Sequence, residues 1–296
     1  MRVVSEAVRK SAVLIEALPY IKLFRDRTIV VKLGGSAQEE RDVLLRVFAD
    51  IDFMVSVGMR PVVVYGGGKR ISAVMEEAGL RPRFVQGQRV TDEAAMEVVT
   101  RVLLDEVGPW LVEIMARAGG RAALLNGRDG RFLTARQKRL AGDPDLDLGF
   151  VGEPAGVDAA QLDALLRAGT VPLVAPVAAG GDRPGVLYNV NGDTASAFLA
   201  RALGAAKIVF LSDTPGIYRS LGDEETLLST VGRADVDALI ERGVIHGGMI
   251  PKVQAAVAAL EGGVGKAHIV SGYQPHALLL EIFTDQGVGT EIVHNS

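Results

Sequence analysis

Five short apolar runs rich in β-branched residues, at 28–33, 61–65, 171–177, 207–211 and 267–271, constrain this chain more than any other feature. Between them lie longer stretches with helical spacing of apolar residues, at 41–57, 92–118, 193–203 and 252–260. A strand apolar on both faces must be covered on both, and helices alternating with such strands supply the cover. The pattern predicts an α/β fold with a largely parallel sheet, and ligands at the carboxyl ends of its strands. With 296 residues, 48% of them hydrophobic, the chain can bury the core of one large domain or of two joined lobes. The Gly-rich stretch 178–185 is either the boundary between such lobes or a turn within one sheet.

Several function classes drop out early. There is no cysteine, so disulfides, thiol nucleophiles and Cys-ligated zinc are excluded, which fits a reducing cytoplasm. A net charge of −4 argues against a nucleic-acid partner. No run reaches the roughly 18 apolar residues of a membrane span, and Glu6, Arg9, Lys10 and Glu16 break up any secretory signal. Instead Val4, Val8, Ala12, Ile15 and Leu18 recur at helical spacing up to Pro19, which should stop the helix. Such a helix packs on its own domain or docks on another subunit. His246, His268, His276 and His294 lack metal-ligand spacing, so no resident metal is expected, and no G-x-S-x-G elbow is present.

The chemistry gathers where strands end in glycine. Lys32-Leu33-Gly34-Gly35-Ser36 closes the first run and Gly66-Gly67-Gly68 the second. Glycine lets backbone N–H groups approach an anion, and a following helix start favours negative charge. Neither turn is a P-loop or a dinucleotide fingerprint: Gly68-Lys69-Arg70 lacks the hydroxyl, and Ile71 occupies the place of the last glycine. In Arg89-Val90-Thr91-Asp92, Thr91 or Asp92 is placed to cap the next helix, whereas Arg89 suits a substrate carboxylate. Asn189, Asn191 and Asp193 alternate, so an extended backbone would present them on one face, with Asp193 as the competing helix cap. Gly247-Gly248-Met249-Ile250-Pro251-Lys252 opens a further helix and brings a second lysine to an anion-favouring start.

In this order the motifs resemble the amino acid kinase superfamily, and within it the N-acetylglutamate kinase family. The match rests on "IVVKLGGSA", "VVVYGGGK", "FVQGQRVTD", "DLGFVGE", "YNVNGDTAS", "LSDTPGIY", "GGMIPKV" and "PHALLLEIFTDQGVGTEI", and runs from about Ala17 to the C-terminus. The resemblance implies a three-layer αβα sandwich of the carbamate kinase-like type, with a helix over 1–27, an acyl-amino-acid lobe over 28–180 and a nucleotide lobe over 181–296. It implies transfer of the γ-phosphoryl group of ATP to the γ-carboxylate of N-acetyl-L-glutamate, with Mg²⁺ bound mainly through ATP. Catalytic roles fall to Lys32, Lys252 and Asp193. Substrate contacts fall to Gly67, Gly68, Arg89, Asn189 and Asn191, and ATP contacts to Lys32, Gly34, Gly35, Ser36, Ser212, Asp213 and Lys252.

The two chain ends are similar to those of arginine-inhibited hexamers built as trimers of dimers. Tyr20, His268 and Glu281 are then the effector positions. The sequence departs from the family pattern at Tyr65, where His is usual, at Lys69, where Pro is common, and at Gln88, where an apolar residue is usual. These departures are expected on the acyl-substrate side. Two other readings share the motifs: a sibling kinase for another acidic or N-blocked amino acid, and a non-catalytic arginine-sensing homologue.

Overall fold

The computed structural model describes residues 2–129, 132–140, 143, 146–220, 223–284 and 287–295, with the side chains of 2–10, 36 and 37 outside that description. Helix α1 (Arg2–Phe24) precedes β1 (Thr28–Leu33), which leads through Gly34 and Gly35 into a 3-10 turn (Ser36–Glu39) and α2 (Arg41–Ser56). Strand β2 (Arg60–Tyr65) leads likewise through glycines into α3 (Gly68–Glu77). A hairpin of β3 (Phe84–Val85) and β4 (Gln88–Arg89) comes next, then α4 (Glu93–Thr100), a π-turn (Arg101–Val107) and α5 (Gly108–Arg117). Beyond them lie β5 (Ala122–Leu125), β6 (Leu133–Gln137), β7 (Val151–Val157), α6 (Ala159–Arg167), β8 (Val171–Val174), β9 (Val177–Gly180) and β10 (Leu187–Val190). The remainder holds α7 (Gly192–Ala202), β11 (Lys207–Ser212), β12 (Thr230–Gly232), α8 (Val236–Glu241), α9 (Met249–Glu261), β13 (Lys266–Ser271), α10 (Ala277–Phe283) and β14 (Thr290–Val293).

Eight strands form one sheet in the order β12-β14-β13-β11-β1-β2-β8-β5, parallel throughout except for β13 against β14. Side chains alternate across it, so β1 sends Ile29 and Val31 to one core and Val30 to the other. The first core is closed by Phe48, Ile51, Val99, Leu111 and Leu278 from α2, α4, α5 and α10. The second is closed by Leu162, Leu199, Val253 and Ala256 from α6, α7 and α9. Three layers, αβα, result, as the apolar runs and the resemblance imply.

The differences from expectation have local causes. Pro19 lies inside α1 and does not end it, because Ala17, Tyr20 and Ile21 pack against the first core and hold the next turn in place. The run 171–177 splits: Pro176 has no N–H to donate, so sheet pairing ends at Val174 and the chain turns away as β9. Strands β6, β7, β9 and β10 close into a small barrel, and 178–185 contributes to its β9–β10 hairpin.

Candidate active site

Because β1, β2, β8 and β11 run parallel, their carboxyl ends open on one edge, where the two glycine turns, Pro176 and Asp213 meet. Lys32 sits near the end of β1 between Val64 and Phe210 in register. Its ammonium lies 3.0 Å from Asp193 Oδ1, and the Lys252 ammonium approaches the same oxygen to 3.6 Å. The first lacks the angle of a directed hydrogen bond and the second exceeds its distance; both are charge pairs, which leaves ammonium N–H groups able to turn toward an arriving anion. All three side chains are about nine-tenths buried. Burial would raise the Asp193 carboxyl, but the two ammonium groups hold it below the usual carboxylate range. Burial lowers Lys252, with the Lys32 charge adding to the effect and Asp193 opposing it.

Helix α7 is capped by Asn191, not by Asp193: Asn191 Oδ1 accepts from the N–H groups of Asp193 and Thr194 at 2.9 and 3.1 Å. The extended backbone ends at Val190, so the one-face alternation stops there. Asp193 reaches the lysines from the first turn of α7, and Lys252 reaches Asp193 from the first turn of α9.

Beside the charge cluster lies a cavity of about 190 Å³ lined by Lys32, Gly67, Gly68, Arg89, Asn189 and Asn191, among others. It brings together every residue expected to meet the acyl amino acid, and it opens toward a larger cleft of about 1070 Å³ that Lys32, Gly68 and Arg89 also line. Arg89 ends β4, nine-tenths buried, its guanidinium 4.7 Å from the Phe84 ring centroid. It donates to the Gly68 carbonyl at 2.9 Å and to Ser72 Oγ at 2.8 Å, and Nη1 contacts Met75 Sδ at 3.4 Å. None of these partners is an anion. Burial lowers its pKa, yet guanidinium stays charged at neutral pH, so the site holds a cation suited to a ligand carboxylate.

Two residues join the site that motif reading missed. Thr91 Oγ1 donates to the Arg89 carbonyl at 2.7 Å and accepts from Asn189 Nδ2 at 3.1 Å, tying β4 to β10, while Asp92 makes the helix cap. Gln38 clamps the other glycine turn: its amide nitrogen donates to the Gly66 carbonyl, and its Oε1 accepts from Gly66 N–H at 3.1 Å.

Of the positions expected to meet nucleotide, Gly34 lies so close to the Lys32 ammonium that a methyl group would overlap it. Gly35, in the left-handed region at φ 72°, lies against the Asp213 carboxylate. Ser212 ends β11 beside Ser271, and its carbonyl accepts from Gly272 N–H. The Ser36 side chain lies outside the described residues. No group of three or more His, Asp or Glu side chains able to hold a metal occurs among the described residues. Gln88 and Lys69 line the smaller cavity and the larger cleft respectively. Tyr65 does not; wholly buried, it points into the core and donates to the Leu103 carbonyl at 2.9 Å.

Away from this edge, His268 Nδ1 meets Glu281 Oε1 at 2.7 Å, both buried. Glu281 also accepts from Val288 N–H at 2.9 Å, and Lys207 donates to its carbonyl at 3.3 Å with its ammonium over the Phe24 ring. Tyr20 lies on α1, which packs against α10, the helix that carries Glu281. Burial lowers His268, and lowers Lys207 to about 8. No helix among the described residues is long and apolar enough to cross a membrane.

Residues 27–271 match the model of the amino acid kinase family. The acetylglutamate kinase of Desulfitobacterium hafniense is 44% identical over 98% of this chain and 99% of its own length. Among solved structures, the N-acetylglutamate synthase of Neisseria gonorrhoeae, complexed with coenzyme A and N-acetyl-glutamate, superposes with a TM-score of 0.83 at 29% identity. That match takes in 97% of this chain but only 64% of the synthase chain. The same synthase complexed with coenzyme A and L-arginine gives 0.83 at 27% identity, over 97% of this chain and 66% of the other. The αβα sandwich, the paired lysines on one aspartate and a full-length match to a named kinase agree: this chain belongs to the amino acid kinase family, among its acetylglutamate kinases.

Proposed function

We infer that the protein transfers the γ-phosphoryl group of ATP to the side-chain carboxylate of N-acetyl-L-glutamate, forming N-acetyl-L-glutamyl 5-phosphate for arginine biosynthesis. One observation carries the reading: two buried lysines share one aspartate oxygen at the mouth of a cavity that holds an arginine with no anionic partner among the described residues. A glutamate side chain, with a pKa near ~4.3, is already an ionised nucleophile at pH 7 and needs no general base. The obstacle is repulsion between that carboxylate and the triphosphate, followed by charge spread over the transferring oxygens. Fixed cations and backbone amides answer both.

Lys32 stabilises the transferring phosphoryl group from the acyl side and Lys252 from the nucleotide side. Asp193 holds the two like charges together before ATP arrives. Arg89 pairs with the substrate α-carboxylate, and Asn189 and Asn191 bind its amide end. Gly67 and Gly68 amides face the substrate, while Gly34, Gly35, Ser36, Ser212 and Asp213 meet the nucleotide. Mg²⁺ would be held mainly through ATP, and would supply charge neutralisation of the triphosphate.

Residues 28–180 then serve as the acyl-amino-acid lobe and 181–296 as the nucleotide lobe. The exposed Val13, Leu14, Ile15 and Leu18 of α1 suit an oligomer contact, in a hexamer of three dimers working in the cytoplasm. L-Arginine is the proposed feedback inhibitor at Tyr20, His268 and Glu281; an L-arginine complex of the similar synthase supports this. The test is acyl-phosphate formation, trapped as a hydroxamate, with N-acetylglutamate, glutamate, aspartate and N-acetylaminoadipate, each with and without arginine. Product with N-acetylglutamate alone is expected. No product with it would overturn the assignment, and an arginine response without turnover would point to a sensor.

A further inference from the structure

The helical segment from α4 to α5 is interrupted where it passes the acyl cavity. Over Arg101–Val107 it winds as a π-turn, with Gly108 N–H donating five residues back to the Leu103 carbonyl. Pro109 supplies the cause: it has no N–H to offer the Asp105 carbonyl, and its ring would press on that carbonyl in a regular α-turn. The Leu103 carbonyl also accepts from the Tyr65 hydroxyl at 2.9 Å. Gly108 admits this contact, since a side-chain carbon there would overlap the tyrosine oxygen. Two donors far apart in sequence, the Gly108 N–H and the Tyr65 hydroxyl, thus converge on one carbonyl.

An added residue in a helical turn rotates the upstream half of the helix against the downstream half by about 100°. The site sees the result at Leu103. Its side chain lines the 190 Å³ cavity and lies close enough to Gly67 that a methyl group on that glycine would overlap Leu103 Cδ2. Tyr65 immediately precedes Gly66, so one residue ends the strand that carries the glycine turn and pins the wall packed against it.

We propose that Leu103 is the wall that limits the size of the acyl amino acid accepted, and that Tyr65 is a positioning residue that fixes this wall through the Leu103 carbonyl. The proposal rests on the cavity being the acyl-amino-acid site. It concerns selectivity among N-acyl-L-glutamates, not phosphoryl transfer itself, since neither side chain reaches the lysine cluster.

The experiment measures kcat/KM for N-acetyl-, N-propionyl- and N-butyryl-L-glutamate, and KM for ATP, in the wild type, Leu103→Ala, Leu103→Val and Tyr65→Phe. Leu103→Ala should shift the butyryl-to-acetyl ratio of kcat/KM upward by about tenfold or more, the range that one or two methylenes command in an apolar pocket. Tyr65→Phe should shift it the same way by several-fold, with KM for ATP unchanged. If Leu103→Ala does not fold, Leu103→Val carries the test with a smaller shift in the same direction. A ratio unmoved within twofold in the folded Leu103 variants overturns the size wall. Equal losses for all three substrates in Tyr65→Phe, or a matching rise in KM for ATP, reduce Tyr65 to a packing role and overturn its part. A wild type that turns over none of the three would instead overturn the assignment of the cavity.

Discussion

Two buried ionic clusters occupy opposite kinds of place in this molecule. Lys32, Asp193 and Lys252 meet at the strand ends, with Lys32 lining the cleft, held by charge without directed hydrogen bonds. His268, Glu281 and Lys207 meet where α10 packs on the sheet, sealed and tied by hydrogen bonds to the Val288 amide and the Glu281 carbonyl. In the first, two cations crowd one aspartate oxygen, with the Asp213 charge also acting on Lys252, and the ammonium N–H groups stay able to turn toward an incoming phosphate. In the second, directed bonds spend the same kinds of group on joining elements, although His268 Nε2 has no hydrogen-bond partner among the described residues. Charge alone does not mark a catalytic site; incomplete satisfaction at a cavity mouth does.

The contrast breaks most readily at the lysines. Lys32→Ala or Lys252→Ala should lower kcat about 100-fold or more, as losing one fixed transition-state charge contact does, with a modest change in Tm. Asp193→Asn should lower kcat comparably and move the alkaline limb of its pH profile to lower pH. The sign comes from the local charges: Asp193 raises the Lys252 pKa against burial, so its removal lets that ammonium lose its proton sooner. Pre-steady-state kinetics across pH 6–10 would check both. An intact kcat with a collapsed Tm would make this cluster structural, like the other.

Arg89→Ala comes next. Losing a charge-assisted contact worth about 1.5–3 kcal/mol corresponds to a rise of roughly 10- to 150-fold in KM for N-acetylglutamate, with KM for ATP unchanged. Arg89→Lys should recover only part of it, because a point charge cannot hold Gly68 and Ser72 while also pairing with a carboxylate in two places. Equal rises in both KM values would place Arg89 in the framework of the β3–β4 hairpin instead of the substrate cavity.

How far such a contrast is legible in sequence depends on distance along the chain. Lys32, Arg89 and Lys252 could be found because each stands next to a glycine turn or a helix start, and strand ends are where parallel sheets bind ligands. Gln38 and Thr91 could not. Their roles come from partners 28 and 98 residues away, Gly66 and Asn189, and no local spacing records such a pairing. The central strands were legible as apolar runs, but β6, β9 and β10 were not, being short, rich in alanine and glycine or mixed in polarity. The cap on α7 went to Asn191 because Asp193 was claimed by two lysines, a competition visible only once α9 is in place.

The sealed cluster should answer mutation in stability before catalysis. Glu281→Gln removes the charge facing His268 and weakens its bond to the Val288 amide, at a cost of about 1–3 kcal/mol, read as a lower Tm. Without arginine, kcat at saturating substrate should stay within about threefold, while the proposed inhibition by arginine is lost. A large fall in kcat without arginine would erase the distinction between the two clusters.

The smallest effect is a pH dependence of stability. Lys207 has its pKa lowered to about 8, first by burial and then by the Lys266 charge, against an unfolded value near ~10.4. Between those values the unfolded chain binds more protons at this residue than the folded one, so its contribution makes stability rise with pH. Below about pH 8 both states carry the proton and the contribution is flat. Lys207→Met abolishes the titration while keeping an apolar chain over Phe24. Wild type should therefore gain on the variant by about 2 kcal/mol, a few degrees in Tm, between pH 7.5 and 9.5. Taking the difference between the two proteins cancels the groups they share. Parallel Tm profiles would mean that Lys207 keeps an ordinary pKa, its charge relieved by Glu281 and Glu291, and that the sealed cluster is less dry than its geometry implies.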